Sequence, residues 1–497
     1  MRAVLEKPQR RGRRQHLQGS GHAQLRQGRT QSGDLCRPCV SGLCVCRCRC
    51  IWRGCLMTHQ QQFETLVAAL KSAINPTEQF TLAYDAEVSD FIRFNHGQVR
   101  QAGQVQQAVA VFKLIDSGRH ANLELTLSGD AETDTQRLTD ALQQLRETLP
   151  SLSEDPYLLP NTEAWRTGNV QDAPLPDSAQ VVAQICALSS GLDLVGFYAA
   201  GPLYRGFASS WGALGWHQAN SFNFDWSLFH ENGQAVKANY AGHDWNSEAF
   251  ARRFEQAREQ LEFLGRPLHT LAPGQYRAYL APAAVDEVIS MLTWGGFSAQ
   301  ALASKRSPLQ RLYDGDTRFS PLVSIDEHVS GSFSPAFSRE GYPRKDLALI
   351  VDGQARERLV DSSSAAEYDL PANGADYGEG PSALEMAGGS LEMDQVLEKL
   401  GTGLYISNLW YLNFSDRAAA RLTGMTRFAT FWVEDGRIVA PVSTMRFDDS
   451  AYSLLGSALE DLTRERELIL QSSTYSQRQT GSTHLPGALI SQLTLTL

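Results

Sequence analysis

The sequence has little cysteine outside its first 56 residues and no apolar run long enough to cross a membrane. Seven of the eight cysteines lie between Cys36 and Cys55, and Cys186 is the only one further along the chain. So few thiols exclude a disulfide framework and are typical of proteins from a reducing compartment. A membrane-spanning helix needs about 18 or more consecutive apolar residues, and no segment supplies them. We therefore expect a cytoplasmic protein with no membrane partner.

Basic residues are also scarce in most of the chain. Residues 1–56 carry 12 Lys and Arg against 2 Asp and Glu, whereas the remainder carries 33 against 53, a net charge of −20. Contacts with nucleic-acid phosphates require clustered Lys and Arg side chains. The acidity of the main part of the chain therefore predicts no nucleic-acid partner.

The first 56 residues differ from the rest in composition and allow two interpretations. The run CRPCVSGLCVCRCRC contains the pair Cys36 and Cys39, whose spacing suits a thiolate metal site. Alternatively, translation begins at Met57, which leads directly into a helical pattern, and the preceding residues are not native. We favour the second interpretation and treat 1–56 as a misannotated or disordered N-terminal extension.

Periodicity divides the remaining residues into three predicted domains of α+β class. Apolar residues at helical spacing predict a helix over 60–74, hairpins follow it, and a leucine-lined helix ends at Pro150. A helix is predicted after Pro282, and from about residue 320 onward only 390–400 and 454–466 have helical spacing. The predicted boundaries are an N-terminal α+β domain at 57–150, a linker at 151–176, a middle α+β domain at 177–271 and a strand-rich C-terminal domain at 272–497.

The usual catalytic motifs are missing from this framework. His230-Glu231 is followed by Asn232-Gly233, which would break a zinc-protease helix. No two histidines after residue 56 are four or five positions apart, and neither a G-x-S-x-G elbow nor a phosphate-binding loop is present. Cys186 lies on an apolar helix face, where a small buried side chain is expected. The composition alone assigns no reaction.

The C-terminal part contains a series of short motifs in a distinctive order. They are Ser338-Arg339-Glu340-Gly341, Leu349-Ile350-Val351-Asp352-Gly353, Gly401-Thr402-Gly403, Leu422-Thr423-Gly424 and Phe431-Trp432-Val433-Glu434-Asp435-Gly436, continuing to Pro441-Val442. In this order they resemble the TldD/PmbA family, which has been described both as modulators of DNA gyrase and as zinc-dependent peptidases. The resemblance covers roughly residues 60–497 and is clear from about 272 onward.

The resemblance implies an α+β protein that works as one of two related subunits. In the family, a TldD-like subunit carries a His-Glu-x-x-x-His helix and a C-terminal cysteine that bind zinc, and its TldE/PmbA-like partner lacks them. This sequence departs from the metal-bearing pattern twice. The helix expected after Pro282 reads Val285 to Leu292 without histidine, and the segment from Gly481 contains His484 but no cysteine.

We therefore expect a non-catalytic TldE/PmbA-like subunit without a catalytic or metal site and without a cofactor of its own. Its expected partners are a TldD-like subunit that holds zinc and unfolded peptides or leader peptides as substrates. Within the matching motifs, Glu340, Asn408 and Arg427 are the candidate peptide-binding residues. Two alternatives stay open: a hydrolase with an unrecognised site on Asp326, His328 and His484, or a peptide-binding scaffold without catalysis.

Overall fold

The computed structural model describes residues 57–496, and the predictions made for residues 1–56 lie outside it. The described chain begins with helix α1 (His59–Ala73), whose Thr58 side chain accepts a hydrogen bond from the Gln61 backbone while Gln61 bonds back to Thr58. This reciprocal capping satisfies backbone donors that a helix start otherwise leaves free. The start predicted at residue 60 is thus confirmed to within one residue.

A seven-stranded sheet, the first sheet, follows α1. Its strands are β1 (Gln79–Asn95), β2 (Gln98–Asp116), β3 (Arg119–Thr126), β4 (Arg166–Gln171), β5 (Asp193–Ser209), β6 (Leu214–Phe229) and β7 (Ala235–Gly242). They lie in the order β3-β2-β1-β5-β6-β4, and β7 also pairs with β6. All pairs are antiparallel except β4 with β6.

Four helices pack on one face of the first sheet and bury its even-numbered residues. They are α1, α2 (Ala131–Thr148), α3 (Ser178–Leu188) and α4 (Ser247–Leu264). Tyr84 and Phe112 belong to the core under α1 and α2, whereas Phe94, Tyr198 and Phe224 belong to the core under α3 and α4. Since side chains alternate along a strand, the odd-numbered residues point to the opposite face.

This sheet joins strands from two of the predicted domains. Strand β1 pairs with β5 from Thr81 opposite Ser209 to Phe94 opposite Gly196. The predicted linker also contributes a strand, because β4 lies at Arg166–Gln171. The domain boundaries stay a prediction.

A thirteen-stranded sheet, the second sheet, contains the rest of the strands. They are β8 (Gly274–Leu280), β9 (Ile325–Glu327), β10 (Leu347–Val351), β11 (Gln354–Ala355), β12 (Ala383–Met386), β13 (Gly403–Ile406), β14 (Trp410–Asp416), β15 (Arg421–Met425), β16 (Thr430–Glu434), β17 (Arg437–Pro441), β18 (Arg446–Ser450), β19 (Leu459–Leu470) and β20 (Ser482–Leu495). Strand β20 pairs with β8, β12, β18 and β19 and so lies at the centre.

Five short helices accompany the second sheet. They are α5 (Pro282–Thr293), α6 (Ala299–Ala303), α7 (Gln310–Tyr313), α8 (Ser362–Tyr368) and α9 (Val396–Leu400). Together with the helix-covered first sheet, this strand-rich part confirms the predicted α+β class. No helix within residues 57–496 is both long and apolar enough to cross a membrane.

The helix predicted over 454–466 is wrong. Leu455, Leu459 and Leu462 have helical spacing, but Ser453–Ser457 forms a single π turn and β19 starts at Leu459. Gly456 interrupts the helical backbone with φ −118° and ψ −107°, and β19 then pairs with β20. Long-range strand pairing therefore overrides a local helical pattern here. The other predicted helical stretch, 390–400, contains α9 only in its last half.

Candidate functional site

Helix α5 presents two different faces. Pro282 stands at its first turn, where its fixed φ favours helix and its missing N–H costs nothing. Val285, Val288, Ile289 and Leu292 are buried against the second sheet. The opposite face carries Asp286, Glu287 and Ser290, which line a cavity of about 430 Å³.

This cavity continues into a neighbouring cleft of about 640 Å³ along the first sheet. The two spaces share Asp225, Lys237 and Ser472 in their linings and therefore adjoin at these residues. We call the two spaces together the α5 groove. Each has a volume in the range of ligand sites, which are typically about 300–1,000 Å³.

The floor of the α5 groove comes from the helix-free face of the first sheet. Arg93, Phe197, Asp225 and Asn239 are successive Cα partners across β1, β5, β6 and β7. Their odd numbers place them opposite the buried aromatic residues of the same strands. Arg93 lies over the Phe197 ring, with 5.7 Å between its guanidinium carbon and the ring centroid.

Burial changes the acidity of the carboxylates in the groove. Desolvation raises the pKa of Asp286, Glu287 and Asp225 above their usual values. The nearby Lys237 ammonium opposes this rise for all three, and a hydrogen bond from Thr483 Oγ1 to Asp286 Oδ1 at 2.6 Å also lowers the pKa of Asp286. The groove therefore holds charges that are only partly balanced.

Asn408 and Phe428 position Lys237 within the groove. The Asn408 amide nitrogen donates to the Lys237 carbonyl oxygen at 3.2 Å in the orientation that satisfies both groups. The Lys237 Nζ lies 5.8 Å from the centroid of the Phe428 ring, a geometry that attracts a cation. Asn408 is 5% exposed, so its amide is part of the wall of the groove.

The segment between β19 and β20 borders the groove and is anchored by a buried arginine. Arg478, 5% exposed, donates to the Gly201 carbonyl oxygen at 3.1 Å and to Ser221 Oγ at 2.6 Å. Its backbone carbonyl accepts a hydrogen bond from Arg205 at 3.0 Å. Ser472, earlier in the same segment, lines both spaces of the groove.

The groove residues do not fit zinc, the metal that the resemblance implies for the family. Zinc sites in proteins are built mainly from His and Cys with supporting carboxylates. Here Asp286 and Glu287 are neighbours on one helix, and no His or Cys lines the part of the groove that the structure describes. Within residues 57–496, no group of three or more His, Cys, Asp or Glu side chains is arranged to hold a metal ion.

The structure separates the three candidate peptide-binding residues. Asn408 lines the α5 groove. Glu340 Oε2 accepts a hydrogen bond from the Ser362 backbone at 3.0 Å, at the start of α8. Arg427 lies over the Trp410 ring at 4.2 Å. Only Asn408 belongs to the groove, and the peptide-binding role of all three stays a prediction.

The residues of the alternative hydrolase site are brought close only in part. Asp326 of β9 pairs with Glu385 of β12, which in turn pairs with His484 of β20. Glu385 is shared between Arg466 at 2.9 Å and His484 at 3.7 Å, whereas His328 faces Asp346 at 3.6 Å. None of Asp326, His328 and His484 lines the α5 groove.

Sequence reasoning missed the charged residues on the floor of the groove. Asp225, Lys237, Arg93 and Arg100 come from four different strands, so no local motif unites them. One signal was available: Asp225 lies between the alternating aromatic residues Phe224 and Trp226 of β6, so its charge faces away from the core that they form. Cys186, which was expected to be buried, is half-buried and packs against the core under α3 and α4.

Comparison with known proteins relates both the sequence and the fold to one family. Residues 273–497 match the profile of the PmbA/TldA metallopeptidase C-terminal domain. The metalloprotease PmbA of Escherichia coli O157:H7 is 32% identical over 126 residues, which are 24% of this chain and 26% of that protein. The aligned part thus spans about a quarter of that relative.

Solved structures share the fold over most of the chain. TldE from Thermococcus kodakarensis superimposes with a TM-score of 0.72 at 14% identity, covering 88% of this chain and 100% of the other. A candidate modulator of a DNA gyrase from Thermotoga maritima gives 0.68 at 15% identity, with coverages of 88% and 100%. At such low identity these two structures establish the fold alone.

Proposed function

Because this chain belongs to the TldD/PmbA family, we propose that it is a non-catalytic, TldE/PmbA-like subunit of a cytoplasmic metallopeptidase complex that processes unfolded peptides. Its partner is a TldD-like relative that carries the His-Glu-x-x-x-His helix and the zinc. This chain contributes the α5 groove, which holds an extended peptide. No step of this proposal requires a metal in this chain.

The observation that carries the proposal is the shape of the α5 groove. It is an open cleft with Arg93, Arg100, Asp225 and Lys237 in one part and Asp286 and Glu287 in the other. Its floor crosses β1, β5, β6 and β7, which leaves room for an extended segment of chain. Clefts with a few placed polar groups are the usual binding sites of proteins.

Co-expression tests the proposal. The full chain is expressed with a relative from the same genome that carries the His-Glu-x-x-x-His helix, and also by itself, as is the relative. We expect the two chains to co-purify and to cleave an unfolded peptide together, and we expect a chelator to stop the cleavage. This chain alone should contain less than one zinc per molecule and leave the peptide intact.

Two results would replace the proposal with the alternatives stated above. One tightly bound zinc per chain, together with chelator-sensitive cleavage by this chain alone, would make it a metallopeptidase. Peptide binding without co-purification of any metal-bearing relative would instead make it an independent peptide-binding scaffold.

A further inference from the structure

The two ends of the α5 groove carry opposite charge. At the end formed by the hairpin of β1 and β2, Arg93 and Arg100 line the groove. At the other end, α5 contributes Asp286 and Glu287. The groove therefore has a cationic end and an anionic end, although the chain after residue 56 carries 20 more negative than positive charges.

The middle of the groove is close to neutral. Lys237 and Asp225 both line the junction of the two spaces, and the Lys237 charge lowers the pKa of Asp225 against the effect of burial. Opposite charges this close largely cancel each other for a ligand further away. The charges at the two ends are then the ones that a bound molecule experiences.

The arginines at the cationic end are available to a ligand. Neither Arg93 nor Arg100 takes part in any of the ion pairs found among residues 57–496. Both side chains are exposed. Arg93 is held over Phe197, which in turn stacks on Phe91 with 5.8 Å between ring centroids. This aromatic support fixes the position of the charge without neutralising it.

Strand geometry sets the length of a ligand that reaches both ends. Strands β1, β5, β6 and β7 are successive neighbours, so β1, which carries Arg93, lies three strand spacings from β7, which carries Lys237. At about 4.8 Å for each spacing, the distance is about 14 Å in all. An extended peptide advances about 3.3 Å per residue, so four or five residues cover this distance. The α5 carboxylates share their cavity with Lys237, at the far end of that span.

We propose that the α5 groove selects extended peptides that carry a basic group and an acidic group separated by about five or more residues. The basic group binds beside Asp286 and Glu287, and the acidic group binds beside Arg93 and Arg100. This inference rests on the proposed peptide-holding function and adds the class of peptide. Complementary charges at two separate points also fix the position of the peptide along the groove.

Labelled ten-residue peptides test the selection. Four peptides share a neutral, unstructured middle and carry two charged residues at each end: lysines and glutamates, lysines only, glutamates only, or serines as the neutral form. Binding to the full chain is followed by fluorescence anisotropy at low ionic strength, where charge effects are least screened. We expect the peptide with opposite ends to bind at least about tenfold more tightly than the neutral one.

Charge reversal provides the decisive variant. In the double variant Arg93→Glu with Arg100→Glu, both ends of the groove are acidic, so the lysine-only peptide should become the tightest ligand. The matched control is Lys399→Glu with Arg437→Glu, which changes the net charge equally at exposed residues outside the groove lining. The control should keep the original order of affinities.

The outcomes separate this inference from the proposed function. Equal affinity for all four peptides, or an unchanged order in the Arg93 and Arg100 variant, would overturn the charge selection and leave the peptide-holding subunit intact. Absence of binding by every peptide would overturn both. Co-purification with the metal-bearing relative does not depend on the charge of a peptide. It is measured in a separate experiment and tests only the proposed function.

Discussion

At the scale of single residues, the α5 groove contains carboxylates whose burial lowers the stability of the folded chain. Desolvation raises the pKa of Asp286 and Glu287, so their charged forms are less favourable in the folded chain than in water. An apolar or amide side chain would avoid this cost. Residues that reduce stability are common where a protein binds or reacts, so these pKa directions agree with the role proposed for the α5 groove.

The buried His217 makes the stability of the folded chain depend on pH. Burial lowers its pKa from 6.5 to about 4, and the side chain is 1% exposed. Between these pH values the unfolded chain binds a proton that the folded chain does not, so stability is complete above pH 6.5 and falls as the pH drops towards 4. At 1.36 kcal/mol per pKa unit, the loss is about 3 kcal/mol.

We therefore expect His217→Gln to flatten the stability profile between pH 6.5 and 4. The measurement is the free energy of unfolding in urea at several pH values, compared with the unsubstituted chain. His96→Gln is the control, because the His96 side chain is 74% exposed. Equal slopes for the His217 variant and the unsubstituted chain would contradict the assignment.

At the scale of elements, the segment 471–481 is attached to the first sheet by the buried Arg478. Arg478 links it to β1, β5 and β6 through Ser89, Gly201 and Ser221, and its charge faces the buried Glu87. Arg478→Gln removes these hydrogen bonds, and a buried group left without its partner typically costs about 1–3 kcal/mol. We expect a lower melting temperature and faster chymotrypsin cleavage at Tyr475, which is already 88% exposed.

Ser473→Ala serves as the control for this effect, since Ser473 is exposed in the same segment. It should leave both the melting temperature and the cleavage rate unchanged. Cleavage at Tyr475 that is equally fast in the unsubstituted chain and in the Arg478 variant would show that the segment is not anchored by this arginine.

Elements with a strong local period were predictable, and the assembled groove was not. The spacing of Phe63, Leu66 and Leu70 predicted α1, and Pro282 with the following apolar residues predicted α5, because each pattern lies within one element. The helix predicted over 454–466 was wrong because the leucines of β19 have helical spacing. The pairing of β19 with β20 joins separate stretches of sequence and cannot be recognised from one of them alone. The same limit hid the groove, whose charges meet only when strands far apart in sequence pair.

At the scale of the whole molecule, the core lies within the described residues. Thr58 and Gln61 cap α1 reciprocally, and the two sheets and their helices lie between His59 and Leu495. We expect a chain that starts at Met57 to keep the melting temperature and soluble yield of the full chain. A clear loss of either would show that residues 1–56 contribute to folding and would contradict their interpretation as an extension.

The central position of β20 also determines how the protein is made. The first sheet grows from neighbouring hairpins, but β8 must wait for β20, which leaves the ribosome about 200 residues later. At about 5–20 residues per second, that delay is on the order of 10–40 s. During this time β8 can pack against α5 and then pair with β13, but its edge towards β20 has no partner. An unpaired edge of this kind can pair with another chain, a hazard that chaperones reduce in cells.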